Sequence, residues 1–269
     1  MTVALERRFP RPSVMGVVNV TPDSFSDGGV NFRAEDAVAA GRRMVEEGAA
    51  LVDVGGESTR PGAEPVSADE ELRRVVPVLE GLAGLPVSID TAKAAVARTA
   101  IELGAAMVND VTALRGDPEL AGVVADSEAC LCLMHMQGEP RTMQADPRYD
   151  DVVSEVAAFL EARLGFAVAA GIAEERICLD PGIGFGKTVG HNLELLRRLD
   201  EIAALGRPVL VGVSRKSTLG RLLGDADAKT SSTAASVSAA VLAYERGASI
   251  LRVHDVREHV EALAVAAAL

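Results

Sequence analysis

Positive charge is scarce in this 269-residue chain: 27 Lys and Arg stand against 39 Asp and Glu, a formal net charge of −12 at pH 7. Nucleic acid and anionic membrane surfaces both demand a basic face, so neither is expected as a partner. Any anionic substrate must therefore be drawn in by a local basic cluster. Long apolar runs are also missing. Hydrophobic residues make up 48% of the chain, yet no run approaches the roughly 20 residues that a membrane helix needs. The first residues, with Arg7, Arg8 and Arg11, lack the apolar core of a signal peptide. Cysteine is sparse too. Cys130, Cys132 and Cys178 are an odd set at no metal-ligand spacing, which reads as reduced core residues and makes the cytoplasm the expected compartment.

What is present is an alternation. Eight short, mostly β-branched apolar runs recur at intervals of about 20 to 45 residues: Val14–Val20, Leu51–Val54, Val87–Ile89, Met107–Val108, Cys130–Met134, Ile177–Leu179, Val209–Val213 and Ile250–Val253. Segments of helical period separate them. Ser67-Ala68-Asp69-Glu70 reads as a capping box, followed by an apolar stripe of Leu72, Val75, Val76, Leu79 and Leu82. Asp117-Pro118 reads as a helix N-cap and first helical residue, and Asp255 as the cap of the last helix. No linker or composition break interrupts the series. The expected fold is a single-domain α/β chain, a (β/α)8 TIM barrel over residues 1–269 with 1–13 as a lead-in; a doubly wound open sheet is the second choice.

The residues that follow each run are polar. Asn19 follows the first, Gly55-Gly56-Glu57-Ser58-Thr59-Arg60 the second, Asp90 the third and Asn109 the fourth. His135 follows the fifth, Asp180 the sixth, Ser214-Arg215-Lys216-Ser217 the seventh and His254-Asp255 the eighth. In a barrel these ends meet on one face, where barrel enzymes build their sites. Asp90 and Asp180 can be read as N-caps, Asn109 as a turn residue and Lys216 as a solvated charge. Together they suit a flat heterocycle with alternating donors and acceptors.

Arg60, Arg252 and His254 make the basic cluster that the net charge requires, since guanidinium forks match phosphate oxygens. The competing readings are an inward salt bridge for Arg252 and a core imidazole for His254. Asn19 opens a long polar loop containing Asp23, Phe25 and Asp27 that suits a lid, and its amide carbonyl suits a single Mg²⁺ ligand where phosphate and water supply the rest. His135 reads as a core or wall histidine, and Met134 as a polarizable wall or simple packing.

These stretches resemble a known family. Asn19-Val20-Thr21-Pro22-Asp23-Ser24-Phe25-Ser26-Asp27-Gly28-Gly29, Gly55-Gly56-Glu57-Ser58-Thr59-Arg60-Pro61-Gly62, Asp180-Pro181-Gly182-Ile183-Gly184-Phe185-Gly186-Lys187, Ser214-Arg215-Lys216-Ser217 and Arg252-Val253-His254-Asp255 are similar to the signatures of the dihydropteroate synthases. The resemblance implies a folate-pathway transferase joining 4-aminobenzoate to (7,8-dihydropterin-6-yl)methyl diphosphate. It implies that Asp90, Asn109, Met134, Asp180, Phe185 and Lys216 hold the pterin. Thr59, Arg60, Arg252, Val253 and His254 would take the diphosphate. Thr59, Pro61, Phe185 and Ser217 would shape the aminobenzoate pocket, and Asn19 would bind Mg²⁺. Lys216, Asp180, Arg60 and Arg252 would carry catalysis. It further implies a homodimer and inhibition by sulfonamides. The rival readings are a pterin-binding methyltransferase domain and a pterin-binding paralogue without catalysis.

Overall fold

Eight parallel strands close on themselves in chain order: β1 Ser13–Asn19, β2 Leu51–Gly55, β3 Val87–Asp90, β4 Met107–Asp110, β5 Cys130–Met134, β6 Ile177–Asp180, β7 Val209–Val211 and β8 Ala248–Val253. The computed structural model describes residues 3–21, 34–59 and 62–269. β8 pairs back onto β1, with Gly16 opposite Val253, so no strand is left as an edge. Helices lie in the connections, and the closed barrel is the expected fold.

The side-chain period of two sorts the strands into two cores. Val18, Val52, Val54, Ile89, Val108, Leu131, Leu133 and Leu179 face outward and pack with helix residues such as Val75, Leu79 and Leu160. Their neighbours Met15, Leu51, Met107, Cys130, Cys132, Cys178, Leu210 and Ile250 fill the inside, and Leu5 and Phe9 from the lead-in segment join them. The lead-in thus belongs to the interior core. All three cysteines are free and buried.

Because inward positions recur every second residue, the interior chemistry follows by counting. Two residues beyond Leu51 is Asp53; two beyond Met107 is Asn109; two beyond Cys178 is Asp180; two beyond Ile250 is Arg252. The barrel is apolar at the strand starts and polar at the strand ends, and the polar end is where the site forms.

Three local expectations change. Asp117 serves two helices: its Oδ1 accepts from Glu119 N at 3.0 Å in the turn that leads into the helix Leu120–Ala125, which starts two residues later than expected, and its Oδ2 accepts from Ala94 N at 2.9 Å at the start of the neighbouring helix Ala94–Glu102. Asp255 stands at the N-cap position of the helix Val256–Ala268 as expected but gives it no side-chain bond, because Arg215 and Thr233 take its carboxylate. In the helix Ala68–Gly81 the buried residues are Glu71, Val75, Val78 and Leu79, so Val78 replaces Val76 in the stripe. The helix turns to bury Glu71 because Lys93 Nζ meets that carboxylate at 2.6 Å. No helix among the described residues is long and apolar enough to cross a membrane.

Candidate active site

Four strands place a charged network across the mouth. Arg252 on β8 donates from Nε to Asp53 Oδ2 at 2.7 Å and from Nη2 to Asp90 Oδ2 at 2.9 Å. Asn109 Nδ2 donates to the same Asp53 oxygen at 3.0 Å. β3 and β4 bring Asp90 opposite Asn109, and β2 brings Gly55 opposite Asp90. A Cβ on Gly55 would approach Asp90 Cβ to 3.4 Å, so a small residue there leaves the carboxylate its room. Asp53 has no solvent exposure, and two carboxylates sharing one guanidinium leave net negative charge in a buried place. Burial therefore lifts Asp90 above the ordinary carboxyl value, with Arg252 opposing and Asp53 adding to the rise.

The other side of the mouth is built by β6 and the loops after β6 and β7. Asp180 Oδ1 accepts from Gly182 N at 2.7 Å, and its second oxygen has no hydrogen bond from the described residues. Burial raises its pKa from 3.8 to about 6, against the pull of Gly182 N–H, Lys216, Lys187 and Arg252. Lys216 Nζ lies 4.5 Å from the centroid of the Phe185 ring and makes no hydrogen bond to any described residue. Burial, and next Arg252, lower it to about 8, while Asp180 and Asp90 pull the other way. A half-buried ammonium with three unused donors, beside carboxylates with unused oxygens, is an expensive arrangement unless something else completes it. Met134 sits opposite Asp180 in the β5–β6 register and packs with Met136, Met143 and Phe185, giving the apolar wall.

Asn19 ends β1 opposite Gly55, its side chain half-buried and without a hydrogen bond to any described residue. Ser214 and His254 meet at 3.2 Å through Oγ and Nδ1, and His254 N–H donates back to the same hydroxyl. Burial first, then Arg252 and Arg215, push His254 from 6.5 to about 4. It is therefore a neutral N–H donor at physiological pH, which corrects its place in a cationic cluster. Arg252 is likewise engaged by two carboxylates and leaves Nη1 open. Val253 is buried in the outer, helix-facing core, so only its main chain borders the mouth. Thr59 and Ser217 are half-buried beyond β2 and at the start of the helix Ser217–Leu222. Arg60, Pro61, Asp23, Phe25 and Asp27 lie outside the described residues.

Two residues at this end have no counterpart in the sequence reading. Asp53 anchors Arg252 and Asn109 and was hidden inside an apolar strand; its signal is that a lone acid there needs a buried partner. Lys187 Nζ is buried against His135 Nδ1 at 2.8 Å and the carbonyls of Gly182 and Phe185, each at 3.0 Å. Its signal is a lysine closing a glycine-rich run.

Comparison with known proteins follows from this geometry. The pterin binding enzyme family matches residues 15–254. A dihydropteroate synthase of Neisseria meningitidis serogroup C is 49% identical over 258 residues, covering 94% of this chain and 91% of that protein. The chain belongs to the dihydropteroate synthase family. Among solved structures, dihydropteroate synthase of Xanthomonas albilineans with 4-aminobenzoic acid superposes with a TM-score of 0.88 at 51% identity, covering 96% of this chain and 93% of that one. That of Yersinia pestis in complex with a sulfonamide drug gives 0.90 at 47% identity, covering 96% and 94%. Members of this family are transferases, and the matches favour the synthase reading over both rivals, the methyltransferase domain and the non-catalytic paralogue.

Proposed function

We propose that the chain condenses 4-aminobenzoate with (7,8-dihydropterin-6-yl)methyl diphosphate, giving 7,8-dihydropteroate and diphosphate, at the mouth formed by β1 to β8. One observation carries the assignment of residues. The free donors of Lys216 and the free oxygens of Asp180 and Asp90 converge where Met134 and Phe185 supply apolar walls. A bicyclic ring bearing N–H groups and a carbonyl meets each of those needs. Asn109 and Asp53 steady Arg252 and Asp90 from below.

The reaction asks for little covalent chemistry. Diphosphate leaves when its charge is neutralised, and departure puts positive charge on the exocyclic methylene and into the ring. Asp180 and Asp90 lie where they can stabilise that electron-poor ring. His254, neutral and oriented by Ser214, offers an N–H to the anion, and Arg252 offers Nη1. Arg60 and Thr59 are assigned to the same anion. The arylamine is neutral near pH 7 and attacks without a strong base, so positioning dominates and no covalent enzyme intermediate forms.

The donor set also fits Mg²⁺. Among the described residues no three His, Cys, Asp or Glu could hold a metal, while the Asn19 amide is uncommitted. A cation held by one amide oxygen and otherwise by substrate phosphate matches that supply. When bound it would neutralise diphosphate charge. The free, buried cysteines support a reducing, cytoplasmic compartment. Leu222 and Leu242 on touching helices and Leu223 just past the first of them, between 51% and 69% exposed, support an apolar face for a second copy, and sulfonamide inhibition follows from the aminobenzoate assignment.

The test is diphosphate release by the purified chain. Release should require both 4-aminobenzoate and Mg²⁺ and should fall on adding a sulfonamide. Release without aminobenzoate, or none with both substrates and the metal, would refute the reading; light scattering reports the assembly separately.

A further inference from the structure

The segment 180–187 carries Asp180 and Phe185 to the mouth, yet only its first residue lies in a strand. Beyond the backbone bonds from His135 N to Asp180 O and from Phe185 N to Gly182 O, its carbonyls are taken by side chains. Gln144 Nε2 donates to Gly184 O at 2.6 Å and Tyr149 hydroxyl to Gly186 O at 2.8 Å, both from outside the loop. The carbonyls of Gly182 and Phe185 turn inward and converge on one atom, Lys187 Nζ, at 3.0 Å each. His135 completes the set from the end of β5, with Nδ1 at 2.8 Å and its carbonyl at 3.4 Å. Lys187 is 2% exposed, so these groups take the place of water around the charge.

The glycines show how closely the loop is wound. Gly182 has φ +68°, and a Cβ there would stand 1.9 Å from the His135 carbonyl oxygen. Gly186 has φ +62°, and its Cβ would stand 2.4 Å from the Gln137 carbonyl oxygen. Backbone thus lies directly on the 135–137 segment, and the lysine side chain closes the space between them. An ammonium has three donors, and here each finds an acceptor. An apolar chain of the same length would leave the Phe185 carbonyl and the His135 Nδ1 without their partner and the Gly182 carbonyl with only the Phe185 N–H at 3.1 Å, which is the costlier state.

We propose that Lys187 is a positioning residue, the buried amine around which the 180–187 loop is wound, and that with His135 it fixes the seat of Phe185 and the Asp180 carboxylate at the mouth. The link to the site is short. The Phe185 carbonyl that Lys187 holds belongs to the residue whose ring lies under Lys216 Nζ. Gly182, whose N–H binds Asp180 Oδ1, gives its own carbonyl to Lys187. One ammonium therefore holds both an apolar wall and an acid of the site without touching a ligand. This rests on the assignment of the mouth to the pterin and aminobenzoate.

The test uses the purified full chain and the variants Lys187→Met and His135→Ala, each alone and with Phe185→Ala. Amide hydrogen exchange should accelerate about tenfold or more in residues 181–187 of Lys187→Met, less in His135→Ala, and nowhere else. This readout needs no activity, so it judges the loop even if the wild type releases no diphosphate and the functional reading fails. In the steady-state assay, Lys187→Met should raise the aminobenzoate KM about tenfold with a smaller change in kcat. In the Phe185→Ala background the same change should shrink to about twofold, because the residue acts through that ring. Unchanged exchange at 181–187, or an equal loss with and without Phe185, overturns the proposal. If Lys187→Met does not fold, His135→Ala decides by the same two measurements, with about a threefold KM effect expected in the same direction.

Discussion

Replacing Asp180 with Asn should make the free protein more stable and the enzyme worse. The carboxylate is buried, hydrogen-bonded through one oxygen to Gly182 N–H, and raised from 3.8 to about 6 chiefly by desolvation. An acid whose folded pKa is raised opposes folding once it ionises. Below pH 3.8 folded and unfolded chains both hold the proton, and the group costs nothing. Between 3.8 and about 6 the unfolded chain ionises first, so stability falls as pH rises; above about 6 the loss is constant. The full difference is about 3 kcal/mol. Asn keeps the acceptor for Gly182 but no charge. The shift to about 6 is already net of the attraction of Lys216, Lys187 and Arg252; the weaker hydrogen bond that a neutral amide accepts from Gly182 N–H trims the gain to about 1–3 kcal/mol, or about 3–10 °C in Tm for a chain of this size.

The assay is thermal unfolding of wild type and Asp180→Asn at pH 8 and at pH 4, without ligand. The variant should melt higher at pH 8, and the gap should close towards pH 4. Activity should move the other way: losing a hydrogen bond to a charged acceptor costs about 1.5–3 kcal/mol, roughly 10- to 150-fold in kcat/KM. A variant that melts lower than wild type at pH 8, or a gap of equal size at both pH values, would show that the carboxylate is satisfied by the protein and not kept for a ligand.

Two further substitutions separate groups that the fold needs from groups that the ligand needs. Arg252→Met leaves Asp53 and Asp90 buried without their shared cation, so urea unfolding should show a loss of about 3–5 kcal/mol; a loss below about 1 kcal/mol would contradict the network. Lys216→Ala removes an ammonium that no described residue hydrogen-bonds, so Tm should not fall, while calorimetric affinity for the dihydropterin diphosphate drops roughly 10- to 150-fold. Equal affinity would remove Lys216 from the pterin site.

What could be read from the chain and what could not divides along chain distance. The strands were legible because each is a short β-branched run, and the mouth because every run ends on a polar residue, which is a local pattern. Pairing is not local. An inward salt bridge is one of the two readings that the sequence leaves open for Arg252, but Asp53 is 199 positions away, so nothing in either neighbourhood names it as the partner. Asp117 shows the same division within one carboxylate, since its bond to Glu119 N is a local pattern and its bond to Ala94 N, 23 positions earlier, is not. Lys187 is a third kind of case, because its partners are mainly carbonyl oxygens, which every residue carries and no sequence distinguishes.

These cases share a physical cause that bears on the site itself. A buried charge is tolerated only when partners meet it, and the polar groups at this mouth fall into two classes by that criterion. Arg252 and Lys187 are met by protein, and so is Asp53 through its Oδ2, from strands and loops distant in the chain, and they hold shape; Asp53 Oδ1 stays buried without a partner among the described residues. Lys216, one oxygen of Asp180 and one of Asp90 are not hydrogen-bonded by any described residue, and burial moves each of these groups away from its ordinary value. Residues of both classes end the same strands and look alike in sequence. Only the closed barrel separates them, by showing which donors and acceptors are already spent. The unspent ones are those a ligand can still satisfy, and the contrast between the large stability loss expected for Arg252→Met and the absence of one for Lys216→Ala is the direct measure of that difference.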